Sequence, residues 1–266
     1  GIAYVAAVNG FDVKLQDISE EALRKAGAYV KRELEEAVRR KLVDAARVPE
    51  ILSRVSYTTS MEEAGEQADI AIEAVPEVME LKIEVFKRLD RICPPHAVLA
   101  TNTSTMSPTE IASGTSRPDR CIAMHFFNPV PRMKLVEIIR GLDTSDETVA
   151  MAKEVSKRLG KETVEVNEFP GFVTSRMNCV IGNEAMYMLQ EGVASAEDID
   201  KAIKLGLNHP MGPLEMADLV GLDVRLRNME YLHQMLGEKY RPAPILVKYV
   251  KAGRLGRKTG IGFYRY

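Results

Sequence analysis

Up to about residue 168, short apolar runs alternate with longer charged stretches of helical period, and beyond that point the alternation stops. Residues 11–17 alternate with period two and end on an acid, as a half-buried strand does. Further strands are expected at 54–58, 69–75, 97–101, 120–125, 135–139 and 163–166. A long helix is expected from 19 to 41, with Glu20 and Glu21 in its first turn where the helix dipole favours them, and another at 78–91. Ser107-Pro108-Thr109-Glu110 combines an N-cap, a proline at the first helical position and a capping-box acid. Strands and helices in this rhythm predict a mostly parallel sheet covered on both faces. From Glu168-Phe169-Pro170-Gly171 onward the pattern is helical only, with helices expected at 172–191, 196–205, 212–219, 223–236 and 243–252. The expected organisation is an α/β domain over 1–167 followed by an all-α C-terminal domain over 168–266.

The chain opens on Gly1-Ile2-Ala3-Tyr4-Val5-Ala6-Ala7-Val8, which reads as a helix already under way, with Asn9-Gly10 as its stop. The expectation is that a segment has been lost upstream. Composition narrows the function classes. The formal net charge is −2 over 266 residues, without long basic runs, which argues against nucleic acid as the main partner. No apolar run approaches the ~18 residues that span a bilayer. The three cysteines, Cys93, Cys121 and Cys179, are odd in number and far apart, which favours a reduced, cytoplasmic compartment over a disulfide framework. The four histidines form no ligand pair, so no metal site is expected.

Several residues can carry chemistry. Asp17 ends the first expected strand, where an acid in a dinucleotide-binding fold hydrogen-bonds ribose hydroxyls; it is equally an ordinary strand-end acid. His125 ends another apolar strand, and ligands of open α/β sheets gather at such ends. Glu137 stands among aliphatics in Leu135-Val136-Glu137-Ile138-Ile139, an expensive place for a carboxylate unless paired. A His125–Glu137 pair would suit a general base; the plainer alternative is a structural histidine and a solvent-facing glutamate on an edge strand. Thr101-Asn102-Thr103-Ser104 follows a buried strand and serves either a ligand or a side-chain turn, the turn being the commoner use. Lys258 lies in a glycine-rich tail whose Phe263, Tyr264 and Tyr266 suggest that it packs back on the body. The charges at Lys31, Arg32, Arg39, Arg40 and Lys41 read as a solvated helix face interleaved with Glu33, Glu35 and Glu36.

Three motifs are distinctive: His125-Phe-Phe-Asn-Pro-Val-Pro-Arg-Met-Lys-Leu-Val-Glu137, Asn208-His-Pro-Met-Gly-Pro213 and Gly256-Arg-Lys-Thr-Gly-Ile-Gly-Phe263. With them the chain resembles, over essentially its whole length, the short-chain L-3-hydroxyacyl-CoA dehydrogenases, the 3-hydroxybutyryl-CoA dehydrogenases among them. The resemblance implies a Rossmann-like NAD-binding domain, a helical substrate-binding and dimerisation domain, a homodimer, and oxidation of an L-3-hydroxyacyl-CoA to the 3-ketoacyl-CoA with hydride passing to NAD⁺. It implies His125 as general base, Glu137 as the group that fixes its tautomer, and Ser104 and Asn128 on the substrate oxygen or acyl group. It places Asp17, Glu77, Lys82, Ser104 and Lys258 near the cofactor.

Two departures stand out. The family's opening strand and glycine-rich phosphate loop would precede Gly1, and a sheet without that central strand is expected to keep two unpaired edges. Ser175 stands where many relatives carry an asparagine that contacts substrate or the catalytic pair; one hydroxyl replaces an amide there. The competing readings are a dehydrogenase of a free hydroxy acid or sugar acid, and a non-catalytic relative on the same scaffold.

Overall fold

A computed structural model describes residues 1–266 and divides them into two compact units, Gly1–Glu168 and Phe169–Tyr266. The N-terminal unit runs α1 (Ile2–Val8), β1 (Val13–Gln16), α2 (Glu20–Arg39), α3 (Val48–Ser53), β2 (Val55–Thr58), α4 (Met61–Gly65), β3 (Ile70–Glu73), α5 (Met79–Ile92), β4 (Val98–Thr101), α6 (Pro108–Ala112), β5 (Cys121–Phe126), β6 (Leu135–Arg140), α7 (Asp146–Arg158) and β7 (Glu162–Asn167). Serine caps set several helix starts. Ser19, Ser107 and Ser145 accept the backbone N–H three residues on, at α2, α6 and α7, satisfying a donor that the first turn leaves unpaired. The sequence reading assigns no element between the last two expected strands; α7 fills that interval.

The strands form two sheets, β1–β2 and β3–β4–β5–β6–β7. Within them only β5 and β6 pair antiparallel. β1 pairs with β2 alone and β3 with β4 alone, so each keeps one edge without a strand partner. All four residues of β4 are buried, because helices cover both faces. Alternation along the strands sorts the apolar residues into two layers. Val98, Ala100, Ile122, Met124, Val136 and Ile138 pack with residues of α1, α2 and α7. Leu99 and Cys121 pack on the opposite face with Phe86 and Leu89 of α5 and Ile111 of α6.

The C-terminal unit is helical: α8 (Thr174–Gln190), α9 (Ala196–Gly206), α10 (Pro213–Val220), α11 (Leu222–Leu236) and α12 (Pro244–Lys251). Its own core gathers Met186, Ile199, Leu214, Ala217, Met229, Leu232 and Leu246. The tail folds back onto it through Asp218, whose carboxylate accepts the Phe263 and Tyr264 N–H groups at 3.0 and 2.9 Å. Gly256 is required where the tail crosses α10: its φ is +88°, and a Cβ there would stand 2.3 Å from the Asp218 carbonyl oxygen.

Candidate active site

The antiparallel pairing of β5 with β6 creates the central feature. Its register sets His125 directly opposite Glu137, so both side chains leave the same face of the sheet. Nδ1 of His125 lies 2.7 Å from Oε2 of Glu137. Glu137 is fully buried and His125 only 7 % exposed. A carboxylate in that position needs a partner to offset its desolvation, and the imidazole is that partner. With Nδ1 held by the carboxylate, the ring's orientation is fixed. The Phe127 ring packs on the imidazole at a centroid distance of 4.5 Å. Asn102 ties the neighbouring strand ends together, its Oδ1 accepting the Phe126 N–H at 2.9 Å.

Register carries the same face across to β3. Glu73 is level with Thr101, and Thr101 with Ala123, two residues before His125. At this carboxyl end of the parallel strands a closed polar ring forms. Lys82, on α5 and 1 % exposed, donates to Glu73 Oε1 at 2.8 Å and sits 3.1 Å from Glu77 Oε2. Glu73 also accepts the Val75 N–H and the Thr101 hydroxyl. Glu77 Oε1 accepts the Thr103 hydroxyl at 2.5 Å, the Ser104 N–H at 2.8 Å and the Ser104 hydroxyl at 3.3 Å. Burial pushes the Glu77 carboxyl up, but Lys82 and the donors from Thr103 and Ser104 outweigh it and hold the group below the usual range.

The other expected residues are placed as follows. Asp17 is half-buried just past β1 and its Oδ1 accepts the Ser19 N–H at 2.8 Å, so Oδ2 remains for a diol; the acid suits a ribose. Ile18 beside it is 89 % exposed. Asn128 is exposed on the loop after β5, where its bond to Pro129 is cis. Ser175 lies in the first turn of α8 in the helical unit. Lys258 belongs to that unit too and pairs with Asp223, 2.6 Å from Oδ2. In the 101–104 segment the side-chain turn is present, Thr103 accepting the Met106 N–H, while Ser104 joins the Glu77 cluster.

Sequence reasoning missed Glu73 and Lys161. Glu73 carried the same signal as Glu137, an acid inside an aliphatic strand. Lys161, buried after α7, donates to the carbonyls of Val130 and Met133 at 2.6 and 2.7 Å and pins the loop joining β5 to β6; no local pattern marks it.

Comparison with known proteins agrees with the fold and names a family. The sequence model of the 3-hydroxyacyl-CoA dehydrogenase NAD binding domain matches residues 1–169, and that of the C-terminal domain matches 171–266. A probable 3-hydroxybutyryl-CoA dehydrogenase of Bacillus subtilis is 52% identical over all of this chain and 93% of its own length. The human mitochondrial hydroxyacyl-coenzyme A dehydrogenase is 39% identical over all of this chain and 87% of its own. The crystal structure of (S)-3-hydroxybutyryl-CoA dehydrogenase from Ralstonia eutropha superposes with a TM-score of 0.95 at 46% identity, covering 100% of this chain and 94% of that one. Sequence, fold and paired imidazole thus lead to one assignment: the chain belongs to the 3-hydroxyacyl-CoA dehydrogenase family.

Proposed function

We propose that the protein interconverts a short-chain L-3-hydroxyacyl-CoA, such as 3-hydroxybutyryl-CoA, and the corresponding 3-ketoacyl-CoA, with His125 as the general base. The observation that carries this reading is the 2.7 Å contact between His125 and Glu137 on one sheet face. Bound NAD⁺ supplies the hydride acceptor. The 3-hydroxyl proton passes to Nε2 of His125 as hydride leaves C3, and the imidazolium so formed is stabilised by the Glu137 carboxylate behind it. In the reverse direction that imidazolium returns the proton to the forming alkoxide.

Around this step Ser104 and Asn128 hold the substrate oxygen or acyl group, with Ser175 of the helical unit as a further substrate contact. Asp17, Glu77, Lys82, Ser104 and Lys258 serve the cofactor, the Asp17 carboxylate favouring a free 2′-hydroxyl over a phosphate by charge. Residues 1–167 act as the NAD-binding domain and 168–266 as the substrate-binding and dimerisation domain. The protein works as a cytoplasmic homodimer; exposed Met177, Leu205 and Leu207 in the helical unit and three free, buried cysteines support that reading.

The test compares acetoacetyl-CoA with free acetoacetate as oxidants of NADH, followed at the nicotinamide absorbance band. Oxidation with the thioester alone is expected. Equal rates with the free acid would move the protein to a hydroxy-acid dehydrogenase, and no oxidation with either would make it non-catalytic.

A further inference from the structure

The polar ring at the ends of β3 and β4 contains two carboxylates and one ammonium. Its members differ in access. Lys82 and Glu73 are shut away from solvent, with side chains 1% and 0% exposed, while the Glu77 side chain keeps 19%. The contacts are also unequal. Lys82 stands closer to Glu73, at 2.8 Å, than to Glu77, at 3.1 Å. Glu73 uses both oxygens inward, on Lys82, the Val75 N–H and the Thr101 hydroxyl. One ammonium is therefore shared between two carboxylates, which leaves the cluster with one negative charge in surplus. Glu77 is the one member that faces outward, and it does so at the carboxyl end of parallel strands, where open α/β sheets bind their ligands. Its other partners, the Thr103 and Ser104 donors, are dipoles without formal charge.

We propose that Glu73 is a positioning residue that occupies Lys82 and so leaves Glu77 with a surplus negative charge, by which the site prefers the oxidised, positively charged nicotinamide to the neutral reduced one. The inference rests on the reading of Glu77 and Lys82 as cofactor contacts and deepens it. A surplus charge acts on the difference between NAD⁺ and NADH, since the rest of the dinucleotide is common to both. Loss of a hydrogen bond or of packing acts on both forms alike. The ratio of the two dissociation constants separates those effects, because a purely structural role for Glu73 leaves it unchanged.

Titration of the protein with NAD⁺ and with NADH, read by calorimetry and by nicotinamide fluorescence, gives the ratio Kd(NAD⁺)/Kd(NADH). Glu73→Gln frees Lys82 to neutralise Glu77, and the ratio should rise about tenfold, the lower end of what one charge within ~4–6 Å does to an ionic equilibrium. Glu77→Gln removes the surplus directly and should raise the ratio in the same way, which keeps the test decisive if Glu73→Gln does not fold. The double change Glu73→Gln with Lys82→Met restores one uncompensated acid and should return the ratio toward that of the unaltered protein. Equal weakening of both forms in Glu73→Gln and Glu77→Gln, or a ratio that stays within about twofold, overturns the inference while leaving the cofactor assignment standing. Failure of the unaltered protein to bind either dinucleotide takes down the assignment and the inference together.

Discussion

Nδ1 of His125 is committed to Glu137, so a side chain of similar size that keeps the polar contact but cannot accept a proton isolates the chemical step. His125→Gln should lower kcat by the ~10²–10⁴ that a positioned base contributes and leave the dissociation constant for the acyl-CoA nearly unchanged, measurable by steady-state kinetics beside calorimetry. Near-normal turnover would remove His125 from the mechanism. Glu77 gives a second prediction, in pH. Its folded-state value lies below 4.5, the ordinary value for such a carboxyl, so its pairing with Lys82 contributes stability that is complete above that value and is lost as pH falls through the lowered one. Thermal unfolding of the wild type and of Glu77→Gln should therefore differ above pH 4.5, and the difference should shrink as the pH falls below it. A difference that persists at the acid end would show that the variant suffers from packing rather than from charge.

The elements were largely readable from periodicity. The strand expected at 135–139 is β6 at Leu135–Arg140, and the helix expected at 223–236 is α11 at Leu222–Leu236. Short pieces such as α3 and α4 span too few residues to show a helical period. α7 did carry its signals, a Ser145 cap, acids in the first turn and Lys157 and Arg158 in the last. The direction of β6 was also readable, because residues 127–134 are too few for the parallel crossover, which takes roughly a dozen. That hairpin is what sets His125 against Glu137, and its loop depends on Lys161, whose pKa burial pushes down. Lys161→Met leaves the Val130 and Met133 carbonyls without their donor. It should cost about 1–3 kcal/mol, the penalty for buried polar groups left unpaired, and lower kcat more than it raises KM, since the strands that hold the dyad lose a tether. Denaturant unfolding and steady-state kinetics check the two parts; a raised KM at unchanged kcat would tie the loop to substrate binding instead.

At the scale of the whole chain, the two units have separate cores, and what was legible divides along the same line. The N-terminal unit disclosed its candidate site through acids and a histidine placed among aliphatics, where the cost of burial makes a lone charge informative. The helical unit disclosed its helices and, through Phe263, Tyr264 and Tyr266, a tail that packs back on them; Ser175 and Lys258 took their roles from resemblance, and Lys258 proves to be engaged with Asp223, a partnership between residues 35 apart that no local pattern encodes. Separate cores also make stability separable. Met229 is fully buried among the side chains of the helical unit. Met229→Ala should remove about 2–5 kcal/mol from that unit, the range for a buried methionine cut back to alanine, while the core around β4 and β5 keeps every contact. Heating this variant should move the unfolding of the helical unit to lower temperature and leave that of the N-terminal unit in place, giving two calorimetric transitions. NADH binding should survive between them and 3-ketoacyl-CoA reduction should not, because Ser175 and the rest of the proposed substrate domain melt first. A single transition that falls as one, carrying NADH binding with it, would mean that the two units fold as a single cooperative body and that the division of labour between them is not a division of stability.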